Sequence, residues 1–202
     1  MAVITFSATG ATGRTITQLA DGKTWAAARA AASSVDTDTY NGCGSSGANR
    51  NLYRTFAMFN TVSLGSLALS ITSAKYKFSV GANNSGFANH TMYVVPTNPA
   101  SPSTTLGTAD HTSMTMTDYG NINKNGLTGA QEITLNATGL AAISTTGYTK
   151  LGMTGYYDFV NSDPGGTGDE WWLTSSITLE ITYVPIPVGG SPMLFGGGVT
   201  IG

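Results

Sequence analysis

The stretch from Asp158 to Glu170 holds four of the chain's eleven acidic residues: Asp158, Asp163, Asp169 and Glu170. Two carboxylates facing each other across a groove can hydrolyse a glycosidic bond, one as acid and the other as base or nucleophile. Three hard oxygen donors in a loop can equally hold Ca²⁺, which makes Asp158, Asp163 and Asp169 a candidate metal set. The plain reading is a solvated hairpin loop in which Asp and Gly serve as turn formers.

Aromatic residues flank this stretch, with Tyr156-Tyr157 before it and Trp171-Trp172 directly after. A flat aromatic face matches the C–H face of a pyranose, so these four residues are candidate sugar contacts. Trp is also frequent at interface hot spots, so subunit contact competes with sugar binding. On a strand, adjacent residues point to opposite faces. At most one of the two tryptophans is therefore expected in the core, with the other partly exposed or covered by a partner.

Other catalytic signatures fail on spacing. Gly22-Lys23-Thr24 resembles the end of a phosphate-binding loop, but the required first glycine falls on Thr17. Gly44-Ser45-Ser46-Gly47 lacks the spacing of a nucleophile elbow. Cys43 has only His90 and His111 as potential bases and reads as a buried or idle thiol. Two histidines without Cys or His partners nearby do not make a zinc site. No catalytic residue is assigned.

Composition narrows the classes further. Nine Lys+Arg against eleven Asp+Glu in 202 residues give a net charge of -2 and no basic face for nucleic acid. Only 10% of residues are charged, against about a quarter in ordinary soluble domains, so surface polarity must come from Thr, Ser, Asn and Gly. No run approaches the about 20 apolar residues of a membrane span. The first residues lack the basic start and long apolar run of a signal peptide. Synthesis in a host cytoplasm and function on a virion surface fit that combination.

The elements that must position these residues show mainly period two. Residues 74–80 and 177–183 alternate strictly, placing Tyr76, Phe78 and Val80, and likewise Ile177, Leu179 and Ile181, on buried faces. Weaker strands are expected at 2–6, 53–60, 91–95, 131–136 and 150–160. Turns are expected between them, as at 81–86, with a strand or loop at 113–117. Two short helices are expected. Residues 24–32 have Thr24 as N-cap and Arg29 beside Trp25; the other helix covers 137–143. Together these give an all-β antiparallel sandwich over residues 1–183.

Residues 184–202 form a second unit, an extended Gly/Pro-rich tail without charge. Its Met193, Leu194, Phe195, Val199 and Ile201 are apolar, and exposed apolar clusters favour association. They are the candidate partner interface, with strand addition one way to engage it.

Two linked motifs carry a resemblance. Tyr53-Arg54-Thr55-Phe56-Ala57-Met58-Phe59-Asn60-Thr61 is followed by Ile71-Thr72-Ser73-Ala74-Lys75-Tyr76-Lys77-Phe78. They resemble the DNRLRE-like and related galactose-binding-type jelly-roll modules of bacterial surfaces and phage structural proteins. Thr24 to Arg29 and Leu179 to Tyr183 match in order, while Asn60 stands where Asp is commoner. The resemblance implies a jelly roll. The missing signal peptide, sparse catalytic inventory, low charge and apolar Gly/Pro tail point to a non-enzymatic phage virion subunit (capsid decoration, head fibre or tail appendage) contacting other virion subunits or copies of itself. The alternative is a carbohydrate-binding module or host-glycan adhesin, possible with Ca²⁺ and otherwise needing no cofactor.

Overall fold

The computed structural model describes residues 1–18 and 21–187. Its elements are β1 (Ala2–Ser7), β2 (Thr9–Thr17), α1 (Trp25–Ala30), β3 (Ser34–Asp36), β4 (Thr39–Ser46), β5 (Asn49–Asn60), α2 (Leu64–Leu67), β6 (Ala68–Ser85) and β7 (Thr91–Pro96). A 3₁₀ helix (Thr108–Ser113) follows, then β8 (Gly120–Asn123), β9 (Gly129–Thr134), α3 (Ala137–Ala141), β10 (Tyr148–Gly155), α4 (Tyr156–Phe159) and β11 (Gly168–Pro185). No helix among the described residues is long and apolar enough to cross a membrane.

All pairings are antiparallel, and the main path runs β8-β7-β10-β5-β4-β11-β6-β9. Number these eight strands in chain order. One half then reads first, eighth, third, sixth (β4-β11-β6-β9), and the other second, seventh, fourth, fifth (β5-β10-β7-β8). Two interlocked Greek keys with that order are a jelly roll. The halves join at the β4–β5 hairpin, whose two-residue loop opens on Gly47 with φ +59°, a conformation that glycine adopts without penalty. At the other ends β8 and β9 approach closely, a Cβ on Gly120 lying only 2.6 Å from the Thr134 carbonyl oxygen. The sandwich is nearly closed.

Strands β4 and β1 share one edge of β11, β4 over 168–174 and β1 over 178–183. Strand β6 covers the opposite edge of β11 from Glu170 to Pro185, with register shifts on the way. The alternation foreseen in these strands is realised. Tyr76, Phe78, Val80, Leu179 and Ile181 are buried with Phe59, Met92, Val94, Leu151 and Met153 in one core. Phe59 and Tyr76 meet edge to face at 6.0 Å, a favoured ring geometry. A second cluster holds Phe56, Met58, Val95 and Met114, and a third holds Trp25, Ala28, Cys43 and Leu52. The opposite face of β5 is thus buried as well, under α1 and the segment after β7.

Helices α1 and α3 form within the expected ranges, α1 at its foreseen N-cap Thr24, which accepts from Ala27 N, and α3 with Asn136 accepting from Gly139 N. Two expectations are corrected. The strand expected through Val160 ends at Gly155, and residues 156–159 turn into α4. The turn expected at 81–86 is strand, because β6 continues to Ser85 against β11. Of the two readings for 113–117 the loop is realised, with Thr115 N donating to the Pro96 carbonyl. Strand β11 runs to Pro185, paired with Ala68.

Candidate functional site

Strand β4 reads Tyr40-Asn41-Gly42-Cys43-Gly44, so Tyr40, Gly42 and Gly44 share a face. Register places Gly42 between Trp171 of β11 and Tyr53 of β5. Gly42 has φ +132°, and a Cβ there would run into the Glu170 carbonyl. A glycine floor therefore lies between two aromatic walls. Tyr40 completes the rim, with ring centroids 5.3 Å from Trp171 and 6.1 Å from Tyr53.

Arg14 of β2 closes the cleft. Its guanidinium carbon lies 4.3 Å from the Tyr40 centroid and 5.4 Å from that of Tyr53, within cation–π range. Its Nη2 donates to Asp36 Oδ2 at 2.9 Å. The four side chains line an open cleft of about 330 Å³, at the small end of ligand pockets. Asn51 Nδ2 donates to Tyr53 Oη at 3.2 Å, and burial pushes the Tyr53 hydroxyl pKa up. Buried Arg14 Nε and Asn51 Oδ1 have no hydrogen-bond partner among the described residues. Such unmet polar groups favour any hydroxyl or water that reaches them.

Of the four aromatic candidates, only Trp171 lines this cleft. Trp172 is the one tryptophan of the pair that sits in the core, 0% exposed, because strand alternation turns it from Trp171 to the opposite face, and it is withdrawn as a sugar contact. Tyr156 and Tyr157 lie on α4. Tyr157 packs edge-on against Phe87 at 5.2 Å beside Trp25 and Cys43, away from the cleft.

The three aspartates are not brought together. Asp158 is buried, receiving Arg54 Nε and Nη2 at 2.7 Å each, Arg29 Nε at 2.9 Å and Thr154 Oγ1 at 2.7 Å. Burial raises its pKa, but the Arg54 and Arg29 bonds outweigh this and leave it lowered. Asp163 is held by Arg50 Nε at 2.5 Å and Nη2 at 3.0 Å, which lower its pKa. Asp169 lies on β11 opposite Gly44, beside Asn51. Glu170 is buried, accepting from Phe87 N at 3.3 Å and bonded to His90 Nδ1 at 2.8 Å. Its burial pushes the carboxyl pKa up.

Cys43 is buried, as expected, and burial with the nearby carboxylates raises its pKa well above the ordinary thiol range. That disfavours the nucleophilic thiolate. Met193, Leu194, Phe195, Val199 and Ile201 lie outside the described residues.

Sequence reading missed Arg14 and Tyr40 and gave Tyr53 no binding role. The available signal was the Tyr-x-Gly-x-Gly alternation of residues 40–44, which exposes one side of β4. No family model, curated protein or solved structure matches the chain. The likeness to DNRLRE-like modules therefore rests on its motifs alone.

Proposed function

We propose that this chain is a non-enzymatic recognition module that holds a sugar ring in the cleft of Arg14, Tyr40, Tyr53 and Trp171. The carrying observation is the Gly42 floor between the Trp171 and Tyr53 walls. Aromatic faces suit the C–H face of a pyranose, while Arg14 and the tyrosine hydroxyls suit its oxygens. A binding rather than hydrolytic role fits carboxylates already engaged by cations: Asp158 by Arg29 and Arg54, Asp163 by Arg50, and Asp36 by Arg14.

Glycan-array binding followed by calorimetry on the best hit tests the reading. Trp171→Ala is expected to weaken binding at least tenfold while leaving the melting temperature within a few degrees. Trp172→Ala, which empties a core site, is expected to cost about 3–5 kcal/mol of stability. No glycan bound by the intact chain, or full binding by Trp171→Ala, overturns the proposal.

A second reading concerns assembly: the module is a virion-surface subunit of a phage, contacting neighbouring subunits and host glycans at once. Low charge and the jelly roll support it. So does one apolar end, where exposed Val3, Leu67, Leu69 and Ile186 gather around the close of β11. Co-purification of the chain with intact particles is expected, and its absence from them excludes this role.

A further inference from the structure

The aromatic cleft carries side chains of opposite sign at its two ends. Arg14 lies at the Tyr40 end, its guanidinium nearer to Tyr40 than to Tyr53 and bonded to Asp36. Two residues further along β4 the glycine floor continues as Gly44, which pairs with Asp169 of β11 and Asn51 of β5. These two residues share the cleft face with Trp171 and Tyr53, because positions two apart on a strand point the same way. A Cβ on Gly44 would collide with Asp169 Oδ1 and lie 2.5 Å from Asn51 Oδ1, so both oxygens converge on one spot.

Both are acceptors in want of a donor. Asn51 is 6% exposed, and its Oδ1 has no partner among the described residues. Asp169 is half-buried, and no cation among the described residues pairs with it. Asp158, Asp163 and Glu170, by contrast, are bonded to Arg54, Arg50 and His90. Turning the Asn51 amide over would offer Asp169 one N–H and still leave its charge unmatched. Burial, together with the Asp169 charge, raises the Tyr53 hydroxyl pKa against the opposing effect of Arg14, so that carboxylate is felt inside the cleft. A partly desolvated carboxylate beside an orphan amide oxygen suits a ligand that brings a positively charged N–H donor.

The charge on such a ligand must stand apart from its apolar portion. Arg14 already supplies a cation to the faces of Tyr40 and Tyr53, so a second cation between the rings would meet like charge. That disfavours a quaternary ammonium or a methylated lysine caged by the aromatics. Trp171 and Asp169 stand about 7 Å apart along β11, the length of one pyranose ring plus a hydrogen bond from its substituent. Resting on the sugar reading above, we propose that the ligand is a 2-amino-2-deoxyhexose whose ring lies on Trp171 and whose ammonium is held by Asp169 and Asn51.

NMR titration of the full chain tests this with the methyl glycosides of glucosamine and galactosamine. The comparison ligands are the matching glucose, galactose and N-acetyl sugars, which differ from the amines only at C2. One amine is expected to bind at least tenfold more tightly than its hydroxyl counterpart, an advantage that shrinks as salt rises. Asp169→Asn is expected to abolish the advantage while keeping the hydroxyl sugar's affinity and the melting temperature of the parent. Equal binding of amine and hydroxyl forms by the parent, or an amine preference that survives in Asp169→Asn, overturns the proposal and leaves the sugar reading standing. An N-acetyl sugar preferred over the amine assigns the Gly44 end to a neutral amide and overturns the proposal as well. So does choline or lysine bound as tightly as the amine, because no ring is then required. No binding of either amine also overturns it, and the glycan array then decides the sugar reading separately.

Discussion

Arg54 and Asp158, 104 residues apart in sequence, meet as a buried two-point ion pair with both bonds at 2.7 Å. The pair is fully provided for. Arg29 and Thr154 donate to the same carboxylate, and Arg54 Nη1 donates to the His111 carbonyl at 2.6 Å. It ties β5, α4, α1 and the 3₁₀ helix at one point.

Breaking a buried pair from one side strands a charge and costs about 3–5 kcal/mol, whereas replacing both partners with apolar residues is often near neutral. Asp158→Ala is therefore expected to be strongly destabilised in urea, and Arg54→Met/Asp158→Leu to recover much of the loss. A single variant within 1 kcal/mol of the parent would show that the pair does not anchor these elements.

This pair marks the limit of what the sequence made legible. Phe78, Leu179 and Ile181 were readable because burial on one sheet face imposes period two locally. Arg54 was readable as part of the motif at 53–61. Its partner was not, because nothing local to Asp158 distinguishes a buried anchor from a turn aspartate. The Tyr40 face stayed hidden because Gly42 and Gly44 contribute no side chain to a hydrophobic pattern. Residues 156–159 were misread as strand because Tyr, Phe and Val, which are β-formers, surround a short helix fixed by the Asp158 contacts.

His111 offers a pH handle. Its Nε2 lies 2.9 Å from the Ala28 carbonyl, which only accepts, so Nε2 carries the hydrogen. Nδ1 then accepts from Thr15 Oγ1 at 2.7 Å. The ring is neutral, and burial together with the Arg54 charge lowers its pKa to about 4. The unfolded chain therefore takes up a proton first as pH falls. The His111 contribution is complete above about pH 6.5 and is lost as pH falls through about 4. It amounts to roughly 3 kcal/mol at most.

Glu170 acts with the opposite sign. Its raised carboxyl pKa favours the fold at low pH, and that benefit disappears as pH rises. The difference between parent and His111→Gln isolates the histidine from Glu170. Urea midpoints are expected to fall from pH 7 to 4.5 more steeply in the parent than in His111→Gln. Parallel curves would place the imidazole in contact with solvent.

Gly42 and Gly47 both have positive φ but differ in the space around them, which separates strain from collision. Gly47, at φ +59°, has nothing within 4 Å of an added Cβ, so Gly47→Ala is expected to cost about 1–2 kcal/mol from conformation alone. Gly42 has φ +132°, and its added methyl would meet backbone of β11 at Glu170 and Trp171, which cannot swing away as a flexible side chain would. Gly42→Ala is expected to lose more stability than Gly47→Ala, and to separate β4 from β11 at the base of the aromatic cleft. Thermal melting ranks the two, and Trp171 fluorescence, taken as the part of the emission lost in Trp171→Phe because Trp25 and Trp172 also emit, reads the cleft. Equal destabilisation, with unchanged Trp171 emission, would mean that Gly42 is retained for its dihedral and not for the close approach of Trp171.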